Sequence, residues 1–134
     1  EKIATTILAY DIDEAIIEKC KSNISRMENL EDDTIDLHIN ISCRNFLNLD
    51  REQMMMDALL VNDANCTTIF LGGPPYTSGI GDGENMDRDL PSAFIHHCIQ
   101  SKADFISFIL PDRYERHENV EVINKQINQR KKNG

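Results

Sequence analysis

A chain of 134 residues has the length of about one domain and can bury a hydrophobic core. Its 40% hydrophobic and 28% charged residues exclude a disordered or fibrous protein, and no apolar run approaches the roughly 20 residues that cross a bilayer. The formal net charge is −9, whereas a module that binds nucleic-acid phosphates by itself is typically basic. We therefore expect a soluble, intracellular protein, cytoplasmic or nuclear, with no membrane partner.

The first part of the chain alternates between strand and helix patterns. Residues 4–10 form a nearly continuous β-branched and apolar run, which predicts a buried strand. Apolar residues then recur at spacings of three and four, which predicts an amphipathic helix capped by Asp13; they are Ile16, Cys20, Ile24 and Met27. Residues 35–42 alternate apolar and polar side chains, which predicts a strand with one solvated face.

The second part of the chain continues the alternation. Residues 51–60 look helical, with methionines that we expect to fill the core. Two further apolar runs, residues 67–71 and 104–110, predict strands, and an amphipathic helix lies between them from Pro91. Apolar residues between 120 and 127 predict a last helix. Strands alternating with helices favour an α/β fold with a mainly parallel sheet and helices on both faces.

The four cysteines lie far apart, and no CxxC pair is present. This spacing argues against a zinc site and against a disulfide framework. We therefore predict no metal site and expect buried, reduced thiols; the cysteines are Cys20, Cys43, Cys66 and Cys98.

A rigid loop follows the predicted strand at residues 67–71. It begins with two glycines, two prolines and an aromatic residue, Gly72, Gly73, Pro74, Pro75 and Tyr76. Consecutive prolines fix φ and donate no N–H, so their carbonyls point outward from a stiff backbone. A flat ligand can stack on the aromatic ring while a proline carbonyl accepts its hydrogen bond. The loop is thus a candidate binding element.

The segment LGGPPYTSG resembles the Asn/Asp-Pro-Pro-Tyr/Phe loop of S-adenosylmethionine-dependent methyltransferases that act on exocyclic amino groups, mainly adenine N6 in nucleic acid. The resemblance implies a Rossmann-like fold with S-adenosylmethionine as cofactor. It also implies catalytic roles at Gly73, where the family has Asn or Asp, and at Pro74, whose carbonyl would accept from the target amino group. Pro75 would stiffen the loop, and Tyr76 would stack on a flipped base.

Two other segments extend the resemblance. AYDIDEAIIEKCKSNI looks like the family's acidic strand end, which implies that Asp11 binds the ribose hydroxyls and that Ile12 packs on the adenine. Asn45 and Phe46 stand where the family usually has Asp-Phe or Asp-Ala, so they would complete the adenosine pocket. Ordinary turn residues remain the alternative reading of both Asp11 and Asn45.

The chain departs from the family pattern in three places. The glycine-rich turn that holds the methionine end of the cofactor should precede the strand at Ala4, and no clear pair of closing strands follows Tyr114. The resemblance therefore implies that residues 1–134 are one partial methyltransferase-like domain without the first strand and the closing strands. Gly73 offers backbone groups where the family has a side-chain acceptor, which would impair catalysis or change the target.

Three hypotheses for the function follow. The first is an active methyltransferase on DNA or RNA, in which another domain or partner supplies much of the phosphate contact. The second is a catalytically inactive methyltransferase-like binding or structural module, which Gly73 and the acidic charge favour. The third is an unrelated nucleotide-binding α/β domain, which predicts no cofactor contact at Tyr76.

Overall fold

The computed structural model describes residues 3–26, 35–60, 66–75 and 90–115, together with residues 121, 123–125 and 127–129. The backbone divides into two compact units. Unit 1 spans Glu1–Asn65 and unit 2 spans Cys66–Gly134.

Unit 1 contains two parallel strands, two α-helices and one short 3₁₀ turn. The order is strand β1 (Ile3–Asp11), helix α1 (Glu14–Ser25), strand β2 (Ile35–Cys43), the 3₁₀ turn (Phe46–Asn48) and helix α2 (Arg51–Asp57). The strands pair in a register that runs from Ile3 opposite Ile35 to Asp11 opposite Cys43. Both strands therefore end at the same edge of the sheet.

The predicted cap of α1 is confirmed, and the predicted buried face of the helix is wrong in part. The Asp13 carboxylate accepts hydrogen bonds from the N–H groups of Ala15 and Ile16. Ile17, 2% exposed, is the buried residue of the helix, whereas Ile16 is 48% exposed and Cys20 is exposed. The helical spacing identified an amphipathic helix correctly, and Ile24 of the predicted face is half-buried. The buried face is centred nearer Ile17 than Ile16 and Cys20.

The burial of the two long strands also differs from prediction. The expected burial of β1 is wrong for Ala4, Thr6 and Ile7, which are exposed. Within the part of the chain that the structure describes, the sheet of unit 1 pairs β1 with β2 alone, so β1 has a neighbouring strand on one side. The prediction that the polar face of β2 is solvated is wrong for the central part of the strand. Asn40 is half-buried there, and its side-chain amide donates to the backbone carbonyl of Asp57, the last residue of α2.

Unit 2 is built around helix α3 and a second pair of parallel strands. The order is strand β3 (Ile69–Gly72), α3 (Leu90–Gln100), strand β4 (Phe105–Phe108) and a 3₁₀ turn (Asp112–Glu115). Ile69 lies opposite Phe105 and Gly72 opposite Phe108. Residues 121, 123–125 and 127–129 are helical, which confirms the predicted last helix over these residues.

The core of unit 2 is apolar. Ile95 and Ile99 of α3 pack with Tyr114, and each is at most 8% exposed. The side chains that complete this core come from β4, from the chain after β4 and from the last helix: Ile106, Phe108, Leu110, Ile123 and Ile127. The outward positions of the strands are apolar too; Ile69, Leu71, Phe105 and Ile109 are 54–75% exposed.

The four cysteines are free, but the expected burial holds for one of them. Cys98 of α3 is fully buried, whereas Cys20, Cys43 and Cys66 are exposed. Cys43 ends β2 and Cys66 precedes β3, and solvent reaches both of these positions. Cysteine composition alone did not distinguish strand ends from core positions.

The coarse fold prediction is confirmed: the protein is mixed α/β, with short sheets of parallel strands and helices. Within the described residues, none of the helices combines the length and the apolar character needed to cross a bilayer.

Candidate functional site

Four of the predicted site residues lie together where β1 and β2 end. Asp11 ends β1 opposite Cys43, and the N–H of Arg44 donates to the Asp11 carbonyl at 2.8 Å. This bond brings Asp11 and Ile12 alongside the turn that contains Asn45 and Phe46. We term residues 10–12 and 43–46 the carboxyl edge of unit 1.

Asp11 has one carboxylate oxygen in use and one available. Its Oδ1 accepts from the N–H of Asp13 at 2.9 Å, which closes a turn between β1 and α1. Its Oδ2 accepts no hydrogen bond from any described residue. The side chain therefore acts as a turn residue and still offers a carboxylate oxygen to a ligand hydroxyl.

Ile12 presents an apolar surface beside this carboxylate. It is 75% exposed, although it lies between a strand and a helix of the same unit. An exposed aliphatic side chain in the residue after Asp11 suits a ligand with a flat apolar ring and a neighbouring hydroxyl group.

Asn45 and Phe46 form the other side of the carboxyl edge. The Asn45 carbonyl Oδ1 caps the 3₁₀ turn by accepting from the N–H of Leu47 at 3.1 Å. A carbonyl oxygen has two lone pairs, so Oδ1 retains capacity for one more donor. The half-buried Phe46 ring stacks on Tyr10, with ring centroids 6.4 Å apart and planes inclined by 29°.

Tyr10 and Arg44 also belong to the carboxyl edge, and Asp57, the last residue of α2, contacts both of them. The Tyr10 phenol donates to Asp57, and Arg44 forms an ion pair with the same carboxylate. Burial, the hydrogen bond to Asp57 and the charge of that carboxylate raise the pKa of the Tyr10 phenol above its ordinary value, while Arg44 opposes this rise. No sequence signal links these residues, because 47 positions separate Tyr10 from Asp57.

The predicted catalytic loop begins in unit 2, at the carboxyl end of β3. The N–H of Ile109 donates to the Gly72 carbonyl at 2.9 Å, so the pairing with the β4 segment continues to the last residue of β3. After it, Gly73 and Pro75 are exposed and Pro74 is buried. Tyr76 lies outside the described residues.

Gly73 has open space where a side chain would project. A Cβ built on this residue meets no heavy atom of the described residues within 4 Å, and its φ is not in the left-handed region. The position therefore does not require glycine on steric or conformational grounds. A larger residue such as Asn fits the same backbone.

Two further observations bear on the chemistry of the site. Among the described residues, no group of three or more His, Cys, Asp and Glu side chains could hold a metal ion. Comparison of the chain with protein-family models, curated proteins and solved structures gives no match.

Proposed function

We propose that this protein is an S-adenosylmethionine-dependent N-methyltransferase domain with a Rossmann-like fold, acting on an exocyclic amino group, most simply adenine N6 in DNA or RNA. The observation that carries the proposal is the carboxyl edge of unit 1, where Asp11, whose Oδ2 accepts no hydrogen bond from the described residues, and the exposed Ile12 lie alongside the Asn45–Phe46 turn. Ligands of parallel α/β sheets bind beyond the carboxyl ends of the strands. The parallel pairs β1–β2 and β3–β4 support the same fold.

The carboxyl edge supplies each contact that an adenosine group needs. Asp11 Oδ2 accepts from a ribose hydroxyl, while Oδ1 keeps the turn closed through Asp13. Ile12 and Phe46 provide apolar surface for the adenine ring. The second lone pair of Asn45 Oδ1 accepts from the adenine amino group. No cation is needed to hold this neutral part of the ligand.

The loop after β3 supplies the contacts to the methyl acceptor. The Pro74 carbonyl accepts one hydrogen of the target amino group, Pro75 limits the motion of that carbonyl, and Tyr76 stacks on the extruded base. The sulfonium of S-adenosylmethionine provides an activated methyl group. When bound, S-adenosylmethionine would supply this methyl group to the amino nitrogen, and the Pro74 carbonyl would hold that amino group through one of its hydrogens.

The acidic charge limits how the nucleic acid is held. A net charge of −9 repels phosphates, and affinity for nucleic acid depends mainly on phosphate neutralisation. Another domain or a partner therefore contributes basic groups. This domain contributes the base-binding loop and the cofactor pocket.

A catalytically inactive methyltransferase-like module is the second candidate function, and Gly73 is the observation that favours it. Glycine offers no side-chain acceptor to the target amino group. Removal of one such hydrogen bond in a catalytic site costs about 3 kcal/mol of transition-state stabilisation, or roughly a hundredfold in rate. A module of this kind would still bind the cofactor through unit 1.

Calorimetric titration of S-adenosylmethionine and S-adenosylhomocysteine into the protein tests the proposal. Asp11→Asn preserves the Oδ1 acceptor for Asp13 and removes the charge, so we expect it to weaken micromolar binding by about 10- to 100-fold. Asp36→Asn is the matched control, because Asp36 is an exposed aspartate near the amino end of β2 in the same unit. We expect it to bind as the unaltered protein does.

Three outcomes separate the candidates. Binding together with N6-methyladenine in adenine-containing DNA or RNA oligonucleotides, measured by mass spectrometry, supports the methyltransferase. Binding without methyl transfer to any oligonucleotide supports the inactive module. Failure of the folded protein to bind either compound contradicts both.

A further inference from the structure

The carboxylate of Asp57 joins separate parts of unit 1. Its Oδ2 accepts from the Tyr10 phenol at 2.8 Å and lies 3.2 Å from Nη1 of Arg44. The Asp57 carbonyl accepts from Nδ2 of Asn40 at 3.0 Å. One residue at the end of α2 thus contacts both strands and the turn that follows β2.

These contacts surround the turn that holds Asn45 and Phe46. Arg44, immediately before Asn45, is fixed twice: its N–H donates to the Asp11 carbonyl and its guanidinium pairs with Asp57. The Phe46 ring stacks on Tyr10, whose phenol is bound to the same carboxylate. The backbone before Asn45 and the ring after it are therefore both tied to Asp57.

The burial of Asp57 makes these contacts stronger than those of a surface pair. Its side chain is 13% exposed, whereas the side chain of Arg44 is 41% exposed. Charge-assisted hydrogen bonds gain strength as the surroundings of the acceptor become less polar. The ion pair between Lys21 and Glu18 in α1 lacks such shielding, since both side chains are at least half exposed.

We propose that Asp57 is a positioning residue that acts through Tyr10 and Arg44 to fix the Asn45–Phe46 turn, and thereby the surface on which the adenine of a bound adenosine compound packs. This inference rests on the proposed function. Asp57 itself touches no ligand. Its role is to keep the Phe46 ring and the Asn45 carbonyl in one arrangement before the ligand arrives, which lowers the ordering cost of binding.

The main test compares two variants of unit 1. Asp57→Asn keeps the volume of the side chain and removes its charge, so we expect about tenfold weaker binding of S-adenosylhomocysteine by calorimetry. Ile17→Val is the control for general destabilisation, because Ile17 is buried in α1 and lies outside the network. We expect it to lower the melting temperature and to leave the affinity unchanged.

Selectivity provides a measurement that simple destabilisation does not alter. S-inosylhomocysteine carries an oxygen where adenine has its amino group. The side-chain Oδ1 of Asn45 is an acceptor, so when it is held in place it should disfavour the inosine compound. We expect Asp57→Asn to reduce the preference for the adenosine compound over the inosine compound. Tyr10→Phe keeps the stack on Phe46, and we expect it to retain more of this preference than Tyr10→Leu.

Phenolate absorbance provides a check of the network in the absence of ligand. Asp57 and Arg44 are the charged groups that act on the Tyr10 phenol, with opposite signs. Asp57→Asn removes the negative charge and leaves that of Arg44, so the pKa of Tyr10 is expected to fall. Subtraction of the titration of Tyr10→Phe isolates this phenol from the other two tyrosines.

The outcomes distinguish this inference from the function on which it rests. If Asp57→Asn shows a lowered Tyr10 pKa but binds S-adenosylhomocysteine as tightly and as selectively as the unaltered protein, the positioning role is wrong and the proposed function stands. If the folded unaltered protein binds no S-adenosylhomocysteine, the proposed function is wrong and the positioning role fails with it.

Discussion

Unit 1 and unit 2 each contain a pair of parallel strands, but different interactions organise the two pairs. In unit 1 the strands are nine residues long, and hydrogen bonds and an ion pair around Asp57 hold their ends. In unit 2 the strands are four residues long, and the apolar core around Ile95 and Ile99 supports them. If unit 1 binds an adenosine compound as proposed, substitutions around Asp57 should act on that binding, whereas substitutions in the core around Ile95 and Ile99 should act on stability.

The largest expected effect is the loss of core packing in unit 2. Ile99 is 5% exposed, so Ile99→Ala is expected to lower the free energy of unfolding by about 2–5 kcal/mol. Urea titration followed by circular dichroism measures this change. The matched control is Ile109→Ala, since Ile109 is the same residue type in the same unit and is 74% exposed; its effect should stay within about 0.5 kcal/mol. Equal effects of both substitutions would contradict the described core.

The next effect concerns the predicted catalytic loop of unit 2, in which Gly73 offers no side-chain acceptor. Gly73→Asn places an amide carbonyl in open space beside Pro74. If the protein transfers methyl groups, we expect a rise in kcat of about a hundredfold, corresponding to about 3 kcal/mol. Single-turnover assays with S-adenosylmethionine and an adenine oligonucleotide measure it. Gly73→Ala, which adds no acceptor, is the control and should leave the rate unchanged; an equal rise in Gly73→Ala would exclude the hydrogen bond as the cause.

Much of this molecule could be predicted from local patterns. The strands, the helices and the Asp13 cap depend on residues within a few positions of each other, so their spacing alone identified them. The network of Tyr10, Arg44 and Asp57 could not be predicted, because it depends on a register of strands and helices that no short segment encodes. The exposure of Cys43 likewise depends on the position at which β2 ends.

Alkaline pH is expected to lower the stability of the two units, and the decrease should begin at a different pH in each. Burial raises the pKa of the Cys98 thiol in unit 2 from about 9 to about 12, and the pKa of Tyr10 in unit 1 is raised from about 10 by burial and by Asp57. The folded state then holds each proton at pH values where the unfolded chain releases it. The stabilising contribution is complete below the unfolded pKa and is lost as the pH rises toward the folded pKa.

The free energy of unfolding should therefore decrease as the pH rises into the alkaline range. The raised pKa of Cys98 causes the first part of the decrease, and the raised pKa of Tyr10 adds to it at higher pH. Cys98→Ala is expected to reduce the decrease in unfolding free energy that begins near pH 9. Tyr10→Phe is expected to reduce the further decrease that begins near pH 10. A pH dependence that is the same in both variants and in the unaltered protein would show that neither group is responsible.

The smallest expected effect is common to both units, because among the described residues each contains one non-glycine residue in the left-handed region after a helix. Leu59 after α2 and Lys102 after α3 have φ of 58° and 59°. Glycine adopts this conformation without the Cβ clash, so Leu59→Gly and Lys102→Gly should each raise the melting temperature, by an amount equivalent to about 0.5–1 kcal/mol. Lys19→Gly is the control, because it places glycine inside helix α1, where the backbone is right-handed. It should lower the free energy of unfolding by about 1 kcal/mol. A loss of stability in Lys102→Gly would contradict the left-handed assignment.

The exposed thiol of Cys43 makes the carboxyl edge of unit 1 accessible to optical measurement. Cys43 lies opposite Asp11, and its Sγ is 3.5 Å from the Ile12 carbonyl oxygen. A maleimide fluorophore attached there, with Cys20 and Cys66 replaced by Ser, would report on its surroundings through its emission. The buried Cys98 needs no replacement, since its thiol is shielded from the reagent. Occupancy of this edge could then be followed in a plate reader, with whole compound collections in place of one titrated ligand.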